Sequence, residues 1–169
     1  GRPLSWATDD IALQNVQARV RSPGVWMLAN LRGALLLATS NRSEAAVGYA
    51  TMNGDTSGGL SPIAGVDKAF LQTWIRWMAE HGPADGNRVA SLAQVYKVPP
   101  SAELRPPEKH QTDEADLMPY SVLDAIERAF IRDRKAPLEI LSLLKIHFPQ
   151  FPPEMLRNWM SRFLRLWAQ

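Results

Sequence analysis

The stretch "LLLATSNRSEAAVGY", residues 35–49, decides the predicted fold. Its apolar first half predicts a strand from Ala34 to Thr39, buried at residues 35–38, because a short continuous apolar run is typical of a buried strand. Its second half predicts a helix over residues 43–49, capped by Ser40 or Ser43. A strand that leads into a helix favours an α/β fold.

Glu44 lies where the predicted strand ends and the helix begins. Ligands of open α/β folds bind at the carboxyl ends of strands, so this carboxylate could hold a metal ion or a substrate. A carboxylate in a first helical turn also favours the helix dipole without any ligand. The residues alone leave both interpretations open.

On the N-terminal side, helical spacing of apolar residues predicts a helix from Asp9 to Leu31, with Asp9 or Asp10 as its N-cap and Gly33 as its end. Pro23-Gly24 is expected to bend or interrupt it. On the C-terminal side, residues 53–62 are rich in Gly, Asp and Ser and predict a loop.

Further along, the pattern predicts a helix from Asp67 to about Glu80, a short helical segment over 88–97, and helices over 120–133, 137–147 and 153–167. Between them, residues 98–119 hold five prolines in 22 residues and predict a long loop. Such loops are usually lids or linkers, and we expect residues 99–118 to be mobile without ligand.

Composition limits the possible functions. The chain has 169 residues, 46% of them hydrophobic, which suffices for one core. The sequence holds no cysteine, which excludes disulfides, thiolate catalysis and cysteine-ligated zinc. There is no apolar run of membrane-spanning length and no signal pattern, so we expect a soluble, cytoplasmic protein without a membrane partner.

The charge is unevenly distributed. A net charge of +2 does not indicate a nucleic-acid partner, but residues 128–169 carry eight Lys and Arg against three Asp and Glu. This distribution leaves an alternative open, a non-catalytic helical interaction module whose basic C-terminal face binds an acidic partner. Solvated helix faces account for the charges equally well.

One predicted strand cannot satisfy its own hydrogen-bonding edges, so either further strands are missed or their partners lie outside the sequence. The last helix is still in register two residues before the sequence stops. Both features favour a fragment of a longer protein.

Four segments together resemble a known family: "NVQARVR" (15–21), "LLLATSNRSEAAVGY" (35–49), "GDTSGGLSPIAGVDKAFL" (54–71) and "PPSAELRPPEKHQTDEADLMPYSVLDAIER" (99–128). They resemble the synthetase domain of NAD synthetases, particularly the glutamine-dependent form. The resemblance covers residues 9–133. It implies part of a Rossmann-like ATP-pyrophosphatase domain of the α/β class, mostly helical in this portion.

The resemblance implies an activity as well. NAD synthetases use ATP and Mg²⁺ to convert the nicotinate carboxylate of deamido-NAD to an adenylate, which ammonia from a glutaminase domain converts to NAD⁺. It implies that Thr39, Lys68 and Ser101 bind ATP, that Asn15, Arg19, Glu44 and Tyr49 bind deamido-NAD, and that Glu44 also binds the metal. Residues 99–118 match a segment that closes over the nucleotide.

The resemblance also implies which parts of the enzyme the sequence lacks. The family's "SGGxDS" pyrophosphate loop and the glutaminase domain would precede residue 1, so we expect the isolated chain to be inactive. We expect two parts, residues 1–133 from the synthetase domain and residues 134–169 as a helical extension. The resemblance also implies a homo-oligomer for the complete enzyme.

Overall fold

The computed structural model describes residues 1–106, 108 and 110–169. Pro107 and Lys109, in the segment predicted to be mobile, lie outside the described residues. The described elements, in chain order, are α1 (Asp10–Arg32), α2 (Arg42–Ala46), α3 (Lys68–Glu80), α4 (Leu92–Val95), α5 (Asp113–Asp116), α6 (Tyr120–Glu127), a π-helical turn (Arg128–Arg132), α7 (Pro137–His147) and α8 (Pro153–Trp167).

Helix α1 runs through Pro23, so the predicted interruption is wrong. Pro23 and Arg19 lie on the exposed side of the helix. Water can therefore satisfy the Arg19 carbonyl, which loses its helical donor to the proline. Asp9 occupies the N-cap position but makes no capping bond with its side chain. Gly33 ends the helix as predicted, with φ 57° in the left-handed region that favours glycine.

The predicted strand over Ala34 to Thr39 is wrong for the described chain, which forms only an isolated parallel bridge between Leu37 and Leu60. Around it, Ala38 N–H donates to Leu60 O at 2.8 Å and Gly59 N–H donates to Leu36 O at 2.8 Å. Leu35 and Leu37 are 63% and 49% exposed, contrary to the predicted burial. Among the described residues, the segment around Leu37 pairs with one neighbouring segment, so it forms no sheet that would bury these leucines.

The glycine pair of the loop after α2 allows this backbone approach. A Cβ at Gly58 would lie 2.5 Å from the backbone nitrogen of Ala38, and a Cβ at Gly59 would lie 3.0 Å from the Leu35 side chain. A side chain at Gly58 would push the two segments apart, whereas at Gly59 the end of the Leu35 side chain would have to move. Close backbone packing therefore accounts for Gly58.

Helix α2 is capped by Asn41, which corrects the predicted caps Ser40 and Ser43. The Asn41 side chain accepts a hydrogen bond from Glu44 N–H at 3.1 Å, and Glu44 Oε2 accepts one from Asn41 N–H at 3.3 Å. This is a reciprocal capping box. Ser43 instead lies inside the helix and is fully buried.

The remaining predicted helices are found with small changes. Helix α3 begins at Lys68 behind the Asp67 cap, and α7 and α8 span the predicted residues. The segment predicted over 88–97 shortens to α4, and the helix predicted over 120–133 continues past α6 as the π-helical turn. Helix α5 lies inside the predicted loop and begins at the Thr112 cap, which accepts from Ala115 N–H at 3.3 Å.

The hydrophobic core lies between α2, α6, α7 and α8. Its buried members are Ala46, Val47, Leu117, Met118, Val122, Leu123, Ile126, Ala129, Ile140, Leu141, Leu144, Leu156, Met160 and Phe163. This core draws on residues before and after position 133, and the division at that position remains a prediction. Among the described residues, no helix is long and apolar enough to cross a membrane.

Candidate functional site

A cavity of about 370 Å³ opens where the start of α2 meets the start of α3. Its walls come from α1, from the turn before α2, from the loop between α2 and α3, and from the segment before α5. The lining residues are Arg21, Thr39, Ser40, Glu44, Tyr49, Asp55, Lys68, Pro100, Ser101, Ala102 and Asp113. Five of the predicted site residues therefore share one cavity: Thr39, Glu44, Tyr49, Lys68 and Ser101.

Glu44 and Lys68 form the charged centre of this cavity. Lys68 Nζ donates to Glu44 Oε1 at 3.0 Å, and both side chains are largely buried. Lys68 Nζ also lies 5.6 Å from the centre of the Tyr120 ring, close enough for a cation–π contact. The pair brings together residues from two helix starts that are 24 positions apart in the sequence.

Two tyrosines and two aspartates connect the cavity to the core. Tyr49 Oη donates to Asp116 Oδ2 at 2.8 Å, and Tyr120 Oη donates to Asp113 Oδ2 at 2.8 Å. Burial, followed by the nearby carboxylates, raises the pKa of both tyrosines, so both keep their protons and act as donors. Burial also raises the pKa of Asp113, whose Oδ1 is buried without a hydrogen-bond partner in the described structure.

The two predicted hydroxyl donors line the cavity from different segments, one before α2 and one before α5. Thr39 is exposed and follows Ala38, whose backbone is fixed to Leu60. Ser101 Oγ accepts a hydrogen bond from Glu103 N–H at 3.1 Å, which orients its side chain. The Thr39 hydroxyl therefore follows a backbone position that Leu60 holds in place, whereas the Ser101 side chain is oriented by a contact within its own segment.

Asn15 and Arg19 are not among the described residues that line the cavity. They lie one helical turn apart on α1, and Arg19 Nε donates to Met52 O at 3.2 Å. Arg21 lines the cavity instead, with its guanidinium donating to Glu103 O at 2.9 Å. Arg21 was not predicted, because an exposed cation two residues after Arg19 carries no pattern of its own in the sequence.

Asp55, Asp113 and Ser40 also line the cavity without having been predicted. Asp55 accepts a hydrogen bond from Thr51 N–H at 3.1 Å, which is typical of a turn aspartate. Asp113 begins a short helix inside a segment predicted as loop, so no periodicity marked it. Only its acidic surroundings, "TDEAD", distinguish it in the sequence.

A larger groove of about 640 Å³ lies between α3, α6 and α7. Its described walls are mostly apolar and include none of the seven predicted site residues. The smaller cavity is the better candidate because five of the seven predicted residues line it, with the Glu44–Lys68 ion pair among them.

The carboxylates of this region do not form a metal cage. The described residues contain no group of three or more His, Cys, Asp or Glu side chains placed to hold a metal ion together. Mg²⁺ usually binds to one or two carboxylates plus substrate phosphates and water, so a single glutamate fits a site of that kind. Each Glu44 carboxylate oxygen accepts one hydrogen bond, Oε1 from Lys68 at 3.0 Å and Oε2 from Asn41 N–H at 3.3 Å, and so keeps a lone pair for such a contact.

Comparison with known proteins gives consistent results. The sequence model of the NAD synthase family matches residues 3–161. Glutamine-dependent NAD(+) synthetases from Aquifex aeolicus and Rhodobacter capsulatus are each 41% identical to the chain, over 134 and 127 residues. Those matches cover 79% and 73% of this chain and 22% of each relative.

A solved structure agrees with the sequence matches. The glutamine-dependent NAD(+) synthetase from Cytophaga hutchinsonii superposes with a TM-score of 0.75 at 42% identity, covering 99% of this chain and 24% of that one. The chain thus spans about a fifth to a quarter of the length of these proteins, and it has the fold of the matching part. The match to the family along nearly its whole length establishes that the chain belongs to the NAD synthase family.

Proposed function

We propose that this chain forms the part of an NAD synthetase that holds ATP and deamido-NAD, in an enzyme that amidates deamido-NAD to NAD⁺ with ammonia derived from glutamine. The observation that supports it most is the convergence of Thr39, Glu44, Lys68 and Ser101 on one cavity. Relatives about 41% identical to the chain are glutamine-dependent NAD(+) synthetases. Because the chain spans about a fifth of their length, the activity is proposed for the complete protein.

The reaction explains why these residue types are needed. A carboxylate oxygen of deamido-NAD attacks the α-phosphorus of ATP and pyrophosphate leaves; the nitrogen of ammonia then attacks the acyl carbon, AMP leaves and a proton is released. The first step brings several negative charges together, so cations and donors aimed at the phosphates lower its barrier. Lys68 supplies a positive charge, and the hydroxyls of Thr39 and Ser101 supply donors.

Glu44 is the residue proposed to hold Mg²⁺ together with the phosphates. When bound, the ion would neutralise charge that develops on the phosphate oxygens. The 3.0 Å contact with Glu44 keeps the Lys68 ammonium inside the cavity. When ATP binds, Lys68 would exchange this carboxylate partner for a phosphate oxygen.

Deamido-NAD is proposed to extend from the cavity towards α1. Tyr49 lines the cavity and donates its proton to Asp116, so its oxygen can accept a hydrogen bond from a ribose hydroxyl. Asn15 and Arg19 would contact the more distant part of the same substrate, and the half-buried position of Asn15 is consistent with that role.

Several properties of the complete enzyme are part of the same proposal. Further strands outside this chain would pair with the segment around Leu37 and complete a Rossmann-like sheet. A glutaminase domain would supply ammonia, and the enzyme would be a cytoplasmic homo-oligomer. The exposed leucines at positions 35 and 37 support the first of these, since an added layer would cover them.

Nuclear magnetic resonance on the ¹⁵N-labelled chain tests the proposal. Titration with ATP and Mg²⁺, then with deamido-NAD, should shift the amide signals of Thr39, Glu44, Lys68 and Ser101. Lys68→Ala should weaken the ATP response at least tenfold, whereas Lys145→Ala on α7 should not change it. Shifts confined to the basic helices α7 and α8, or none at millimolar nucleotide, would overturn the proposal, and the first outcome would favour the helical interaction module.

A further inference from the structure

Helix α6 carries two buried acids on one face. Asp124 and Glu127 are three residues apart, which places them on the same side of the helix, and they are only 3% and 4% exposed. Burial of a carboxylate is costly unless it is paired and hydrogen-bonded. The partners of these two acids therefore indicate what the face is built to hold.

Asp124 binds the starts of two other helices. Its Oδ1 accepts a hydrogen bond from the Ser43 hydroxyl of α2, and its Oδ2 accepts one from Ala69 N–H of α3 at 2.9 Å. Ser43 Oγ in turn accepts from Lys68 N–H at 2.9 Å. The first N–H groups of a helix lack acceptors within the helix, and here Ser43 and Asp124 satisfy two of them.

Glu127 holds the same two helices through Arg42. Arg42 Nε donates to Glu127 Oε2 at 2.9 Å, and Arg42 Nη2 donates to Asp67 Oδ2 at 3.0 Å. Consecutive residues of α2, Arg42 and Ser43, are therefore tied both to α6 and to the start of α3. The next residue of α2 is Glu44, and the first residue of α3 is Lys68.

We propose that Asp124 and Ser43 are positioning residues that set the distance between Glu44 and Lys68, and so set the geometry with which this pair meets a nucleotide. Neither residue lines the 370 Å³ cavity, and each acts through its neighbours on α2 and α3. The nucleotide part of this inference rests on the proposed function; the part that concerns the charged pair does not. Asp124 and Ser43 are 81 positions apart, so the contact belongs to the tertiary fold.

The test is the energetic coupling between Glu44 and Lys68 in the full 169-residue chain. The free energies of unfolding of the wild type, Glu44→Gln, Lys68→Met and the double variant are measured in denaturant. The coupling is the stability loss of the double variant minus the summed losses of the two single variants, and a uniform loss of stability does not change it. In a Ser43→Ala background the coupling should fall to less than half of its original value. Coupling that stays unchanged in this background overturns the proposal.

Ser22→Ala is the matched control. Ser22 is a buried serine on α1 whose hydroxyl donates to Ser57 Oγ at 2.8 Å, outside the contacts of α6. Its replacement removes a comparable hydrogen bond but should leave the coupling unchanged, and an equal loss in this control also overturns the proposal. If Ser43→Ala does not fold, Asp124→Asn carries the test, because the amide keeps the side-chain volume but places a donor where two acceptors are needed.

The ATP titration of the same variants separates this inference from the proposed function. Reduced coupling together with a weaker ATP response in Ser43→Ala supports both. Reduced coupling in a chain that shows no ATP response supports the positioning role and overturns the proposed function. A normal ATP response with unchanged coupling overturns the positioning role and leaves the proposed function in place.

Discussion

At the residue scale, Glu44 stands beside a natural comparison in the same chain. Glu139 on α7 also lies in the third position of its helix, and its Oε2 accepts a hydrogen bond from Ala136 N–H at 2.8 Å. Glu44 closes the same type of contact on α2 but in addition pairs with Lys68 inside a cavity. The difference between these two glutamates isolates what the cavity adds to helix capping.

Asp124 gives a prediction on pH dependence. Burial raises its pKa to about 6, although hydrogen bonds from Ser43 and Ala69 favour the ionised form; the nearby carboxylates of Asp67 and Glu127 raise it further. Asp124 therefore binds more protons in the folded chain than in the unfolded chain from about pH 4, near the ordinary aspartate pKa, to about pH 6. The resulting stability is complete below pH 4 and is lost as the pH rises through 6.

Urea unfolding at several pH values checks this prediction. The free energy of unfolding of the wild-type chain should fall relative to Asp124→Asn over that window, at most by about 1.4 kcal/mol per pH unit. The comparison removes the contribution of every other carboxylate that both proteins share. Parallel curves for the two proteins would show that Asp124 does not titrate in this range.

At the element scale, the segment between α4 and α6 combines anchored and exposed parts. Leu104 and Leu117 are buried, and Arg105 pairs with Asp10 at 2.9 Å and with Asp116 at 3.6 Å. Partly exposed ion pairs contribute only about 0–1 kcal/mol each, so the arginine holds the segment weakly. Leu117 belongs to the main core, whereas Leu104 does not.

Hydrogen exchange should follow this division. We expect the amides of residues 101–105 to exchange on the order of a hundred times faster than those of α6 in the ligand-free chain, because local opening there breaks few apolar contacts. The amides of residues 120–123 should be protected because the core surrounds them. Protection at 101–105 equal to that of α6 would contradict a segment that opens for a nucleotide.

The same scale shows where sequence reasoning succeeds and where it fails. The boundaries of α3, α7 and α8 follow from Asp67, Pro137 and Pro153, since capping residues and first-turn prolines act locally. The strand over Ala34 to Thr39 fails because strands depend on partners, and the described chain offers one short neighbour. Likewise, the hydrogen bond between Ser43 and Asp124 has no local signature.

At the scale of the whole molecule, the chain has one well-packed end and one open end. The core joins α2 to α6, α7 and α8, whereas α1 exposes much of its apolar surface, including Val16, Val20 and Leu31. Large exposed apolar patches are typical of surfaces that bind another protein, a membrane or a ligand. The chain spans about a fifth of its relatives, which is consistent with an open end that the remaining protein would complete.

The resemblance to NAD synthetases contributed what composition and periodicity could not. Glu44 and Lys68 are ordinary first-turn residues of two helices, and only the family pattern suggested that they share a site. The structure then places them 3.0 Å apart in one cavity. Arg21 and Asp113, which line that cavity, were found only from the three-dimensional arrangement.

NAD⁺ formation by a chimeric enzyme would show whether this chain supplies the proposed ATP and deamido-NAD site. Residues 3–161 would replace the matching quarter of the Cytophaga hutchinsonii synthetase, and the assay would supply ATP, Mg²⁺, deamido-NAD and ammonium. We expect the chimera to be active and the isolated chain to be inactive. In the chimera, Glu44→Gln should reduce turnover about 100-fold or more, since a preorganised electrostatic contact is lost.

The matched variant Glu139→Gln should keep full turnover, and each substitution should cost only about 1 kcal/mol of stability because helix capping contributes little more. We therefore expect a large activity difference between two glutamates that accept the same type of hydrogen bond at their helix starts. The proposed role of this chain and of Glu44 is contradicted if the folded chimera forms no NAD⁺, or if Glu44→Gln and Glu139→Gln retain equal turnover.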